Sequence, residues 1–337
     1  MHTKFFFIYS ILTSFISYFF FLFYFKKKFC VTKIDEFSNF ERKNIVTGHG
    51  IFFIPLFMIN FFLYNIFFNK INVPINFIFF LTSLILITLI SFFDDLYNLD
   101  PRIRLVSQFL VTFVGLSCIP HSDFLLPLKL SILLSIIIWV YLINVTNFID
   151  GADGFCLVNV IFFFLATLCL IYFYDLNLYS YYIIIFSLPF LLIFLFFFNY
   201  PIAKNFMGDS GSVFCGYLIG FVSLEIFFNG LYFYAFAFFS YPIIDVTFTL
   251  IKKVLKGHPP WKRLGDYFFL IPKTIKKKKN YIISEKKLFY SNLFLNTLNF
   301  FILLVSISLK NEFICLICFF NSFLMTRIYK KYGSISQ

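Results

Sequence analysis

Charge is what this chain lacks. Asp, Glu, Lys and Arg make up 13% of its 337 residues, against roughly a quarter in an ordinary soluble domain. That scarcity leaves no room for a separate soluble domain. A cysteine framework is also missing: seven cysteines is an odd number, and their spacing follows no disulfide pattern. Cys315 and Cys318 form a C-x-x-C, but it lies inside an apolar run without a partner pair, which argues against a metal or redox role. The first apolar run, Phe5 to Phe25, lacks the marks of a cleaved leader. It is too long, has no small-residue cleavage site, and carries Lys26, Lys27 and Lys28 after the run rather than before it. It reads as a retained transmembrane helix. No cluster of ionisable residues falls near the middle of any apolar run, and no internal repeat is visible. Both absences argue against a transporter.

What is present is apolar. Hydrophobic residues make up 61% of the chain, and 59 of them are phenylalanine. The abundance of Phe, Ile, Asn and Lys fits an AT-rich genome, and the phenylalanines read as lipid-facing filler. Runs of about 20 apolar residues recur along the whole length, the span a helix needs to cross a bilayer. The expectation is therefore a single all-α polytopic membrane domain over residues 1–337. Eleven spans are predicted near 5–25, 50–69, 73–93, 105–119, 125–143, 155–174, 176–198, 212–228, 231–251, 288–309 and 313–326. With those boundaries, 24 of the 28 Lys and Arg fall on one set of alternating loops. The positive-inside rule makes that set cytoplasmic, with the N-terminus outside and the C-terminus inside.

The polar motifs then share the cytoplasmic face. They are Asp94 and Asp95 in "SFFDDLYNLDPRIRLVSQ", the stretch "NVTNFIDGADGF" from Asn144, "NYPIAKNFMGDSGS" from Asn199, and the basic loop after Ile251. Each has an ordinary reading. An Asp or Ser before a helix caps it, and Asn, Asp and Gly make turns. Each also has a chemical one. Gly208 and Gly211 flank Asp209 just before a helix, where glycines admit a ligand to the backbone and free N–H groups favour anions. One carboxylate there suits Mg²⁺ held against a diphosphate. Asn147, Asp150 and Asp153 share one side if helical, although Gly151 and Gly154 argue for a tight turn. Asp94 and Asp95 sit at a helix C-terminus, where the dipole disfavours negative charge. Five carboxylates on one face repel each other, and a divalent cation relieves this. Arg102, Arg104, Lys204, Lys252, Lys253 and Arg263 supply positive charge for phosphates.

In the order and spacing of these motifs the chain resembles the polyprenyl-phosphate N-acetylhexosamine-1-phosphate transferases, within glycosyltransferase family 4. The resemblance runs over residues 40–265, through "NIVTGHGIFFIP", "DDLYNLDPRIRLVSQ", "NVTNFIDGADGF", "NYPIAKNFMGDSGSVFCGYLIG" and "PIIDVTFTLIKKVLKG". It implies attack of a polyprenyl phosphate on a UDP-N-acetylsugar, release of UMP, and a start to a lipid-linked envelope glycan of the cell-wall or lipopolysaccharide kind. It also implies Mg²⁺, with Mn²⁺ as a substitute, and an inner-membrane enzyme with a cytoplasmic site. No nucleic-acid partner is implied, and the oligomeric state stays open. By resemblance Asp209 is the metal ligand, and Asp94, Asp95 and Asp150 are catalytic. Asn144, Asn147, Asp153, Lys204, Gly208, Ser210, Gly211 and Arg263 bind substrate. Asp245 matches the family's Pro-x-x-Asp, for which a structural role is at least as good a reading. The departure lies in "GHPPWKRLGDYFFL": Leu264, Gly265 and Tyr267 stand where the family carries His, Arg and His. A catalytically degenerate relative that binds nucleotide-sugar or lipid phosphate is therefore the alternative.

Overall fold

The computed structural model describes residues 47–67, 75–119, 127–174, 207–259, 267–270 and 281–334, with single positions at 15, 19, 192 and 200. Every regular element among these is helical. The α-helices are α1 (Phe53–Phe67), α2 (Ile75–Tyr97), α3 (Pro101–Gly115), α4 (Leu128–Ile149) and α5 (Phe155–Tyr174). They continue as α6 (Gly208–Phe228), α7 (Tyr234–Ala237), α8 (Ser240–Leu255), α9 (Tyr281–Ser308) and α10 (Leu316–Ser334). Short 3-10 turns lie at His49–Phe52, Leu116–Cys118, Phe268–Leu270 and Glu312–Cys315. Among the described residues, 6 stretches are long and apolar enough to cross a membrane: α2, α4, α5, α6, and the parts of α9 and α10 over Lys286–Ser308 and Glu312–Lys331. The first and seventh expected spans lie outside the described residues.

Two other expected spans differ. The segment expected at 105–119 starts early, because Asp100 accepts the Arg102 N–H and Pro101 opens the helix. It ends at Gly115, so α3 has 15 residues and is about 22 Å long, short of a hydrocarbon core of about 30 Å. The segment expected at 231–251 is broken after Ala237 and restarts at Ser240. Pro242 explains the restart, since a residue without an N–H fits the first turn of a helix and not its interior.

Helix α6 is the axis of the fold. Nearly every residue from Ser210 to Ile226 is buried. Ser212, Gly216 and Gly220 repeat every four residues, the small-residue stripe that lets membrane helices approach closely. A Cβ at Gly216 would lie 2.8 Å from Ile143 Cα on α4, and one at Gly220 would overlap the indole of Trp139. That indole N–H donates to the Tyr217 carbonyl at 2.8 Å. On the other flank α6 meets α2, where Phe80 packs on Tyr217 and Phe221.

The second half is joined by amides. Asn292, Asn296 and Asn299 lie along one side of α9. Asn159 on α5 donates to Asn292 at 3.2 Å, and Asn296 donates back to Asn159 at 3.2 Å. Asn321 on α10 donates to Asn299 at 3.1 Å. In an apolar surround such side chains hold helices together. The C-x-x-C belongs to the same packing: Cys318 Sγ donates to the Asn299 carbonyl, and Cys315 hydrogen-bonds Ser306.

Candidate active site

Helix α3 carries its polarity on the inside. Arg104, Gln108 and Thr112 recur every four residues and face the bundle, whereas Ile103, Val106, Leu110 and Phe113 are exposed. Arg104 is thereby delivered to the place where the C-terminal ends of α2 and α4 meet the N-terminal end of α6. Its Nη1 donates to Asp94 Oδ2 at 2.7 Å and to Asp209 Oδ2 at 3.2 Å. One guanidinium nitrogen therefore joins two carboxylates that lie 115 positions apart in the chain. Asp94 also accepts the Leu99 N–H at 2.7 Å, which folds the chain leaving α2 back onto its own end.

Asp95 points elsewhere. Its two oxygens accept the backbone N–H groups of Asp209 at 2.8 Å and Ser210 at 3.0 Å. The Gly208 N–H is turned toward the carboxylate of Asp150. The sequence suggested that these N–H groups wait for an anion from solution; the structure fills them with the protein's own carboxylates. The glycines also bring parts of the chain together. Gly208 has φ +74, and a Cβ there would lie 2.6 Å from Gly48 N and 2.8 Å from Asp95 Oδ2. A Cβ at Gly50 would overlap the backbone of Gly211, and Gly50 N–H donates to the Met207 carbonyl at 3.3 Å. The close approach that Gly208 and Gly211 permit is between parts of the chain. It places the Gly48–Gly50 loop against the start of α6.

The stretch after α4 is a turn. Helix α4 ends at Ile149, residues 150–154 make the turn, and Gly154 takes φ +66. Asn147, in the last turn of α4, accepts the Ser212 hydroxyl at 3.1 Å and so ties α4 to the first turn of α6. Asn144 lies one turn deeper and donates to Gln108 at 2.6 Å. Asp153 is buried within the turn. Asp150 is partly exposed as a residue, but its carboxyl group is enclosed. Lost hydration pushes that carboxyl well above the usual carboxylate range, the charges of Asp209 and Asp95 push it further, and the Gly208 N–H pulls it back.

Asp245 takes the structural alternative. Its carboxylate accepts the Phe268 N–H at 3.0 Å, the Phe269 N–H at 3.1 Å and the Tyr241 hydroxyl at 2.8 Å. It thus pins the far end of the loop that departs from the family. Tyr267, at one of the departed histidine positions, packs between Phe148 and Phe269. Lys253, expected to face phosphate, is buried with its ammonium 4.8 Å above the Tyr267 ring. Lys204 and Arg263 lie outside the described residues.

The sequence reading missed two arrangements, the trans capping by Asp95 and the bridge made by Arg104. The second had a signal: a polar residue every fourth position in an apolar segment marks the inner face of a membrane helix. The first had none, because an Asp that serves backbone and an Asp that serves ligand are written alike.

The pattern of glycosyl transferase family 4 matches residues 77–227, which hold Asp94, Asp95, the 150–154 turn and Asp209. The chain is 28% identical over 220 residues to an undecaprenyl-phosphate alpha-N-acetylglucosaminyl 1-phosphate transferase of Thermotoga maritima, across 65% of this chain and 68% of that protein. It is 27% identical over 192 residues to a probable undecaprenyl-phosphate N-acetylglucosaminyl 1-phosphate transferase of Bacillus subtilis, across 52% of each. The stretch that matches the family 4 pattern, residues 77–227, holds the helices that build the Asp94–Arg104–Asp209 junction, and over it the chain is similar to the glycosyl transferases of that family.

Proposed function

We propose that the protein transfers an N-acetylhexosamine 1-phosphate from a UDP-sugar to a polyprenyl phosphate, releasing UMP at the cytoplasmic face of the inner membrane. Undecaprenyl phosphate, the carrier in both relatives' names, is the acceptor this reading adopts. The observation that carries it is the placement of Arg104 between Asp94 and Asp209 at the shared end of three apolar helices. A lipid phosphate anchored in the bilayer and a soluble nucleotide meet at such an end.

In the reaction, an oxygen of the lipid phosphate forms a bond to the β-phosphorus of the UDP-sugar. The bond from that phosphorus to the bridging oxygen breaks, and the electron pair leaves with UMP. The difficulty is bringing two anions together, so neutralisation and alignment dominate. Arg104 carries the cationic donor set at the junction and orients phosphate oxygens through paired N–H groups. Asp150, whose carboxyl is pushed above the usual carboxylate range by lost hydration and by the charges of Asp209 and Asp95, is placed to exchange a proton with the lipid phosphate. Asn147 and Ser212 fix the first turn of α6, and with it the place of Asp209.

The donor set fits Mg²⁺. Asp94 and Asp209 offer hard oxygens that already converge on one cationic nitrogen, with the carboxyl groups of Asp95 and Asp150 close by. Among the described residues no three His, Cys, Asp or Glu side chains form a ready metal cage. One or two carboxylates, completed by phosphate and water, is the habit of Mg²⁺. Asp209, with Asp94, would hold the ion, which would neutralise the diphosphate charge.

The test uses purified protein, undecaprenyl phosphate and a panel of UDP-N-acetylsugars, scored for UMP and for lipid product. Product forms with one or more sugars in Mg²⁺, stops with chelator, and falls by about a hundredfold or more in Asp209→Asn while the variant stays folded. Binding of the nucleotide-sugar without product from any sugar would favour the degenerate relative instead.

A further inference from the structure

We propose that Asp95 is a positioning residue: it sets the first turn of α6, and so the place of Asp209. The proposal rests on the transferase reading for its activity arm alone. Four observations support it. First, Met207, the residue before α6, makes no side-chain cap, so the opening N–H groups of the helix lack a local acceptor. Second, Asp95 supplies one from α2, with one oxygen on each of two consecutive N–H groups at 2.8 and 3.0 Å. Third, Gly208 makes room for it, since a Cβ there would lie 2.8 and 2.9 Å from the two Asp95 oxygens. Fourth, the neighbouring Asp94 is engaged quite differently, on Arg104 and the Leu99 N–H.

Chemistry follows from the second observation. One oxygen on each of two consecutive N–H groups fixes both amides at once and brings a carboxylate to the positive end of the helix. Asp95 therefore acts on the reaction through Asp209, whose backbone N–H it holds.

The experiment compares wild type, Asp95→Asn and Asp94→Asn. Hydrogen exchange at the first turn of α6 is followed in metal-free protein, where no catalytic turnover is needed. Loss of one set of capping bonds corresponds to about tenfold faster exchange, and this is expected in Asp95→Asn and not in Asp94→Asn. In the activity arm, Asp95→Asn should raise the Mg²⁺ concentration for half-maximal rate by about tenfold, leave KM for the UDP-sugar in place, and keep the shape of the pH profile. Wild-type exchange in Asp95→Asn overturns the proposal, as does loss of the acidic limb of its pH profile. If Asp95→Asn does not accumulate folded, Asp95→Glu carries the same test, because it keeps the charge but moves the oxygens off the two N–H groups. A wild type without transferase activity would count against the proposed function, while the exchange arm would still decide the role of Asp95.

Discussion

Arg104 is the described cation at a junction of carboxylates, and replacing it with methionine separates what holds the site from what runs it. The guanidinium lies 2.7 Å from Asp94 and 3.2 Å from Asp209, with Asp94 only 4% exposed. Removing one partner of a buried ion pair costs about 3–5 kcal/mol, because a charge is left unpaired. Here Arg104 is 32% exposed, so solvent screens part of that, and about 2 kcal/mol is the expected loss for Arg104→Met in metal-free detergent solution. The carboxylates left facing each other are what a divalent cation relieves, so Mg²⁺ at ten times its dissociation constant should restore about 1.4 kcal/mol. Turnover should behave otherwise. A lost charged contact to phosphate is worth about 1.5–3 kcal/mol in the transition state, or about ten- to a hundredfold in rate, and Mg²⁺ should not recover it. Thermal unfolding with and without Mg²⁺, beside kcat/KM at saturating Mg²⁺, measures both arms. Equal metal-free stability of Arg104→Met and wild type would refute the bridge, and a variant that Mg²⁺ leaves unstable would refute the placement of a cation site there.

Three further outcomes are expected. Gly50→Ala should destabilise the detergent-solubilised protein by about 1–3 kcal/mol or more, because its Cβ would overlap backbone that no rotamer change can move; Gly151→Ala, with nothing within 4 Å, is the matched control, and equal melting of the two would undo the loop crossing. Asp150 is pushed above the usual carboxylate range, so the folded state retains a proton that the unfolded chain releases above about pH 4. Stability in metal-free buffer is then full at acid pH and declines as pH rises through the raised value, and Asp150→Asn should flatten that decline. An unchanged slope in the variant would show that Asp150 does not titrate there. For sidedness, Gly151→Cys in a cysteine-free background is the probe, since Gly151 is exposed while Ser210, in the same site, is fully buried. An impermeant thiol reagent should reach Gly151→Cys only from the cytoplasmic side, and labelling of intact cells would reverse the topology.

Much of the helical architecture was legible, because a bilayer demands about 20 apolar residues per crossing and leaves few alternatives. The misread segments are those where a local rule overrode apolar content. Asp100 and Pro101 start α3 before the oily run begins, and Pro242 forces a fresh helix start inside one. The asparagines of α9 went unremarked because they are uncharged. In a chain rich in Asn they look like composition, and only their spacing of four and three residues, set against Asn159 and Asn321, shows an interhelical seam.

The site was legible as a set of residues and not as a set of roles, for a physical reason. Asp, Asn and Gly near a helix start serve a ligand or the chain with the same atoms: a carboxylate accepts an N–H from either, and a glycine admits either to close range. Asp94 and Asp95 show how little separates the two uses. They are adjacent, so their side chains leave α2 about 100° apart. That angle turns one toward Arg104 and the other onto the backbone of α6. The same division runs through the glycines. Gly50 and Gly211 are used up in a crossing of two backbones, while Gly151 stands exposed with open space where a side chain would be. Residues that reach substrate should therefore be sought around Arg104, Asp150 and the exposed Gly151, more than at the glycines that first drew attention to the motif.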